Sequence, residues 1–274
     1  MLYMRNRHLT YQALFLIFMA ILGLQACQTQ PAHQSYPWHN RGFTTDIIST
    51  SSFQLFTAHH ITQPHKDITV YIEGDGQSWI SRHRLSADPT PLSSLVRDLT
   101  LHDKTENVIY MARPCQFVST LQPSCNPFYW DEKRFSDVVV NAMDDALTQI
   151  KQRYKNNKFR LVGYSGGGAI ALLLAQQRSD ISRITTIAGH LDSDAVTALH
   201  KTSPLTGSLN PADKATSIAH ITQYHYVGSK DKIIPPSIAQ NYVRNLPENH
   251  KAQIIIVPNA THDKGWDGVM EKKK

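Results

Sequence analysis

The stretch "LVGYSGGGAIALLLA", residues 161–175, sets a serine among glycines. Ser165 is the middle residue of Gly163-Tyr164-Ser165-Gly166-Gly167, a Gly-x-Ser-x-Gly pattern. The string recurs by chance in long chains, so its context decides its weight. "FRLVGY" before it reads as a hydrophobic strand, and "GGGAIALLLA" after it as the start of a buried helix. A serine on such a strand-to-helix elbow is lifted above the sheet edge, where a base can reach its hydroxyl. The flanking residues must be small because neighbouring backbone passes close by. A phosphate-binding loop fits less well, since neither Gly-x-Gly-x-x-Gly nor a Walker lysine is present.

A hydroxyl is a poor nucleophile without a base, and the base needs a carboxylate to orient it. On an elbow of this kind both follow in the chain, in the order Ser, Asp, His. "YHYVGSKDKIIPP" places Asp231 three residues after Gly228, in the loop leaving a strand. "IIIVPNATHDKGW" places His262 in the loop after the last strand. Both then leave the C-terminal edge of a parallel sheet, where α/β sites form. Among 14 histidines one loop histidine carries little weight alone; the joint order and placement carry it. Asp192 and Asp194 are the rival acids, one strand earlier. Asp263, adjacent to His262, is expected to be exposed, because neighbouring side chains diverge.

The third requirement is a pair of donors for an oxyanion. One expected donor is the backbone N–H of Gly166, directly after the serine. The other lies in "EGDG", Glu73 to Gly76, after the strand "DITVYIE". Its two glycines let the backbone turn its N–H groups inward, and Asp75 is the expected donor, through its N–H. A tight turn without a catalytic role is the competing reading.

The positioning elements follow from hydrophobic periodicity. Strands are expected over 52–58, 67–74, 106–113, 158–164, 183–189, 221–228 and 252–258. Helices are expected over 91–100, 136–154, from 166 onward and over 237–246, with Ser136 as an N-cap. Strands alternating with helices imply a mostly parallel central sheet flanked by helices on both faces. No composition break interrupts residues 45–270, so one domain is expected over 45–274.

The strings "YIEGDG", "ARPCQ", "FYW", "GYSGGG", "AGHLD", "SPLTGSLNP" and "HYVGSKDKIIPP" together resemble a group of bacterial exported serine hydrolases of the α/β-hydrolase superfamily, over about residues 50–266. The resemblance implies an α/β-hydrolase fold, and Glu73 stands where a lipase of that fold usually has histidine. Residues 190–220, where such enzymes often insert a lid, are few and hold no long apolar helix, so a minimal lid and an open cleft are expected.

The N-terminus reads as a targeting segment. Arg5 and Arg7 precede "ALFLIFMAILGL", Ala13 to Leu24. This run falls short of the roughly 20 apolar residues of a membrane span. "LQAC" then resembles a bacterial lipobox, which implies a signal peptide over 1–26 and lipid attachment at Cys27; a retained signal anchor is the alternative. Residues 27–44, polar and with two prolines, read as a tether. The implied location is the bacterial cell envelope, lipid-anchored and facing the periplasm or exterior.

Of 3 cysteines, Cys115 and Cys125 remain. An exported pair this close can form a disulfide, contributing roughly 2–3 kcal/mol by loop closure. The spacing suits neither a redox pair nor zinc, and no metal or cofactor is expected. The 274 residues carry a net charge of +6, with scattered basic residues and no basic stripe, which excludes a nucleic-acid footprint. The combined reading is a serine hydrolase cleaving a carboxylic ester, thioester or related acyl substrate through an acyl-enzyme. The alternative is a non-catalytic envelope lipoprotein that binds a ligand or partner on the same fold.

Overall fold

The computed structural model describes residues 36–118 and 124–269. The leader, Cys27 and the first half of the tether, 27–35, lie outside the described residues. The described residues from Pro37 onward form a single compact unit, which begins earlier than the 45 expected. The reason is aromatic burial. Trp38 is 1% exposed and packs on Phe43 and Tyr110 with ring centroids 5.5 and 5.2 Å away. The end of the polar stretch is therefore part of the folded body.

Eight strands form one sheet in the order β1-β2-β6-β3-β7-β8-β9-β10. They are β1 (Thr44–Ser49), β2 (Gln54–Ile61), β3 (Ile68–Ile72), β6 (Asn107–Met111), β7 (Phe159–Tyr164), β8 (Ile181–Ile187), β9 (Thr222–Gly228) and β10 (Ala252–Val257). β1 and β2 are antiparallel additions at one edge, and every pairing from β6 to β10 is parallel. β3 and β6 are buried along their whole length, as strands covered on both faces must be. β1 is absent from the strands expected, because "TTDIIS" alternates too weakly to announce itself; its burial pattern is mostly exposed. A second, two-stranded sheet pairs β4 (Trp79–Ser81) with β5 (Arg84–Leu85), also unforeseen.

Among the described residues, five α-helices flank the sheet: α1 (Leu95–His102), α2 (Asp137–Tyr154), α3 (Gly166–Gln177), α4 (Ser193–His200) and α5 (Pro236–Arg244). α2 buries Val139, Val140, Met143, Ala146, Leu147 and Ile150, one stripe at helical spacing. Ser136 sits at its N-cap, yet the hydroxyl makes no capping bond. α3 is apolar nearly all round and packs on β7 and β8. Between β8 and β9 lie only α4 and a 3-10 turn, Pro211–Ile218, in keeping with a minimal lid.

The register brings the parallel strand ends level. Ile72 of β3 pairs with both Met111 and Gly163, Tyr164 with Ile187, and Gly228 with Val257. The loops after β3, β6, β7, β9 and β10 therefore open on the same sheet edge.

Candidate active site

β7 ends at Tyr164 and α3 begins at Gly166, leaving Ser165 alone on the elbow at φ 49, ψ −119. A non-glycine residue there stores roughly 1–3 kcal/mol of strain, which the surroundings must hold. They do so through the backbone. Ser165 N–H donates to Ile187 O at 2.9 Å, and Ser165 O accepts from Gly168 and His190 N–H at 2.9 and 3.0 Å. A Cβ at Gly163 would run into the backbone of Gly167, and one at Gly167 into that of Ile72. These close approaches explain the glycines around the serine.

His262 follows β10, and Asp231 follows β9. The two loops are tied to each other: Lys230 N–H donates to Ala260 O at 2.9 Å, and Asn259 N–H to Ser229 Oγ at 2.8 Å. His262 Nε2 lies 3.0 Å from Ser165 Oγ, and Nδ1 lies 2.9 Å from Asp231 Oδ2. Asp231 Oδ1 accepts from the N–H groups of Ile233 and Ile234 at 2.8 and 2.9 Å, so its buried carboxylate is fully engaged. The His262 backbone is pinned as well. Trp266 Nε1–H donates to His262 O at 2.9 Å, and Tyr164 Oη–H reaches the same oxygen at 3.2 Å.

The rival carboxylates are elsewhere. Asp192 is the N-cap of α4, accepting from Asp194 and Ala195 N–H at 3.1 Å. Asp194 lies in the first turn of that helix. Asp263 is exposed and accepts from Tyr164 Oη at 2.9 Å; burial, then the Asp263 charge, push the Tyr164 phenol upward.

The loop after β3 brings Asp75 against the elbow. A Cβ at Gly166 would collide with the Asp75 carboxylate. Among the described residues, neither the Asp75 nor the Gly166 backbone N–H donates to a protein acceptor. The Asp75 side chain is held in turn. Arg113 Nη1 donates to Oδ1 at 2.9 Å and Arg134 Nη1 to Oδ2 at 3.2 Å. Burial pushes this carboxyl up, but the Arg134 and Arg113 charges outweigh it and its pKa is lowered. Gln116 Nε2 donates to Gly74 O at 2.9 Å and its Oε1 accepts from Arg113 N–H at 3.0 Å, bracing the same loop. Cys115, next to Gln116, is joined to Cys125 by a disulfide.

Ser165, His262, Glu73, Asp75 and Arg134 line an open cleft of about 520 Å³, with Trp79 and Leu92 also on its wall. A hydroxyl, an imidazole and a buried carboxylate in a row, beside two unengaged amides, can generate an alkoxide-like nucleophile and hold a developing oxyanion.

Residues 100–241 match the family Lipase (class 3), which is more than half of the chain. The chain belongs to the class 3 lipase family. The match takes in Ser165 and Asp231 and ends before His262. Among solved structures, the chain is similar to an esterase of Pyrococcus furiosus, at 13% identity and TM-score 0.61, with 87% of this chain and 90% of that one covered. It is similar also to Est1E of Butyrivibrio proteoclasticus, at 13% identity and TM-score 0.58, with 83% and 94% covered. A third is an α/β serine hydrolase homologue of Coxiella burnetii, at 14% identity and TM-score 0.56, with 83% and 92% covered. No curated protein matches the chain in sequence. The fold is that of the α/β-hydrolase superfamily.

Sequence reasoning missed four residues of the site. Arg113 ends the strand expected over 106–113, Gln116 lies in the string "ARPCQ", and Arg134 was not singled out; only the fold brings them to Asp75. Glu73 was noticed for its position but not for its environment. It is 3% exposed, accepts from Tyr110 Oη at 2.8 Å and from Gly74 N–H at 2.9 Å, and burial raises its pKa to about 7.

Proposed function

We propose that this protein is a serine esterase. Ser165 Oγ attacks the carbonyl carbon of a carboxylic ester or thioester while His262 Nε2 takes its proton. Asp231 orients the imidazole and stabilises the imidazolium, and the N–H groups of Gly166 and Asp75 hold the oxyanion. The C–O or C–S bond breaks, His262 returns the proton to the leaving group, and the acyl group stays on Ser165. Water, activated by His262, then releases the acid.

The observation that carries this reading is the unbroken chain from Ser165 Oγ through His262 to Asp231, at 3.0 and 2.9 Å, on the floor of an open cleft. Its small insertion between β8 and β9 leaves the cleft open to solvent rather than enclosed. The lipobox-like "LQAC" supports export and acylation at Cys27, with the folded body at the bacterial envelope facing the periplasm or exterior. Palmitate labelling that is lost in Cys27→Ser supports that anchor; equal labelling of both proteins removes it.

A fluorophosphonate probe tests the chemistry. Labelling mapped to Ser165, with turnover of p-nitrophenyl esters of graded chain length, supports the esterase. Folded protein that takes up no probe leaves a ligand-binding lipoprotein instead.

A further inference from the structure

We propose that the β4–β5 hairpin docks the cleft onto an anionic phospholipid surface, with Trp79 and Ile80 entering the lipid and Arg82 and Arg84 meeting its phosphates. The proposal deepens the esterase reading and rests on it, since it names the surface from which the cleft would draw its substrate.

The hairpin is an exposed tip on a fixed base. At the base, Ser86 N–H donates to Ser78 O at 2.9 Å, and Trp130 Nε1–H to Ser86 O at 3.1 Å; Ser78, Ser86 and Trp130 are all buried. Every residue from Trp79 to Arg84 is exposed. Trp79 and Ile80, at 44% and 47%, set two large apolar side chains at consecutive positions of the hairpin. The Trp79 indole N–H reaches Asp131 Oδ1 at 3.2 Å, which holds the ring at the cleft wall it lines. Leu92, on the same wall, is 81% exposed. A ring with one polar contact and an open apolar face suits a bilayer interface.

Charge selects the occupant. Residues 76–87 include Arg82, His83 and Arg84 and no carboxylate. Among the described residues, neither arginine forms an ion pair. Basic residues beside exposed apolar ones match an anionic lipid headgroup layer over acyl chains. Trp79 and Leu92 line the same cleft as the candidate nucleophile, so docking there would present an acyl ester to Ser165.

Tryptophan fluorescence reads this contact locally. Of the four tryptophans, Trp38, Trp130 and Trp266 are 1%, 4% and 1% exposed, leaving Trp79 as the one a quencher can meet. The full chain carries Cys27→Ser, to remove acylation, and Ser165→Ala, to remove turnover. Vesicles of brominated phosphatidylglycerol should quench its emission, and brominated phosphatidylcholine should not. Adding Arg82→Glu and Arg84→Glu should weaken the quenching titration roughly ten- to a hundredfold, and adding Trp79→Phe should abolish the quenched component. With Ser165 intact, the charge reversal should leave turnover of soluble p-nitrophenyl acetate within about twofold. That result also verifies folding. Absence of quenching, equal quenching on both lipids, or quenching indifferent to the charge reversal overturns the proposal. Because quenching is read without turnover, a failure of the esterase reading would appear separately, as an inert Ser165.

Discussion

The Asp75 carboxylate and the Arg113 guanidinium form a 2.9 Å ion pair directly behind the elbow that carries Ser165. The Arg113 side chain is 5% exposed, and its Nη2 also donates to Arg134 O. A carboxylate packed against Gly166 would be an awkward neighbour for a developing oxyanion if it were free. The Arg113 and Arg134 guanidinium groups offset its charge, so in the proposed mechanism the loop would offer its backbone N–H without a net repelling charge.

Asp75→Asn keeps the backbone N–H but leaves Arg113 buried without its partner charge. Breaking a buried pair from one side costs about 3–5 kcal/mol. Urea unfolding should therefore show a loss of that size, tempered by the partial exposure of Arg134. Loosening the loop should lower kcat roughly tenfold to a hundredfold with KM little changed, below the loss of a whole oxyanion donor. Unchanged kcat in a destabilised variant would separate Asp75 from the oxyanion site.

The disulfide should act on the same loop. Cys115 precedes Gln116, whose side chain spans Gly74 O and Arg113 N–H. Replacing Cys115 and Cys125 together by serine removes a short cross-link worth roughly 2–3 kcal/mol. Thermal unfolding should report that loss, and kcat on a soluble ester should fall about three- to tenfold because the brace on Gly74 slackens. A variant with lowered Tm and wild-type kcat would confine the disulfide to stability.

Asp231→Asn keeps the shape of the carboxylate and removes the charge facing His262 Nδ1. An equivalent change in a serine protease lowers turnover about 10⁴-fold, and a loss of that order is expected here. Asp192→Asn should change kcat less than about tenfold, because Asp192 caps α4; asparagine caps nearly as well. Steady-state kinetics on one ester, with circular dichroism to verify folding, compares them. A large loss at Asp192 beside near-normal turnover at Asp231 would move the acid to the loop after β8.

Ser165, Asp231 and His262 were legible in the sequence because each follows a strand whose end is marked by glycine, proline or a turn cluster. Chain order then converts to spatial proximity at one sheet edge. The meeting of the loop carrying Asp75 with the elbow at Gly166 was legible from the same sheet-edge placement. Arg113 and Arg134 were not, since an arginine in a loop is exposed far more often than buried. Arg113 is buried and Arg134 half-buried where they pair with Asp75, which lies 38 and 59 residues away. The β4–β5 hairpin escaped because it is short, and β1 because it buries little, so periodicity has almost nothing to act on. Trp38 was misplaced into a tether because its polar neighbours masked one aromatic anchor.

Glu73 gives the last prediction, a dependence of stability on pH. In the fold its pKa is raised to about 7, by burial first, against an ordinary value of 4.5. Between those values the unfolded chain has released the proton and the folded chain still holds it. The unfolded state then binds fewer protons, and stability falls as pH rises, by at most about 1.4 kcal/mol per unit for this one group. Below pH 4.5 both states are neutral, and above about 7 both are charged, so the slope vanishes outside the window. His190 and His225 act oppositely. Burial lowers them to about 4 and about 3, so their contribution grows as pH rises toward 6.5. Glu73→Gln isolates the glutamate, because both histidines remain in both proteins. The amide fits the same place, with its oxygen accepting from Gly74 N–H and its nitrogen donating to Tyr110 Oη. Urea unfolding at pH 4.5 and pH 8 should therefore show the variant gaining on the wild type at the higher pH. A stability difference that stays constant between those two pH values would mean that Glu73 is ionised in the folded protein throughout, with the Arg97 and Arg113 charges compensating its burial.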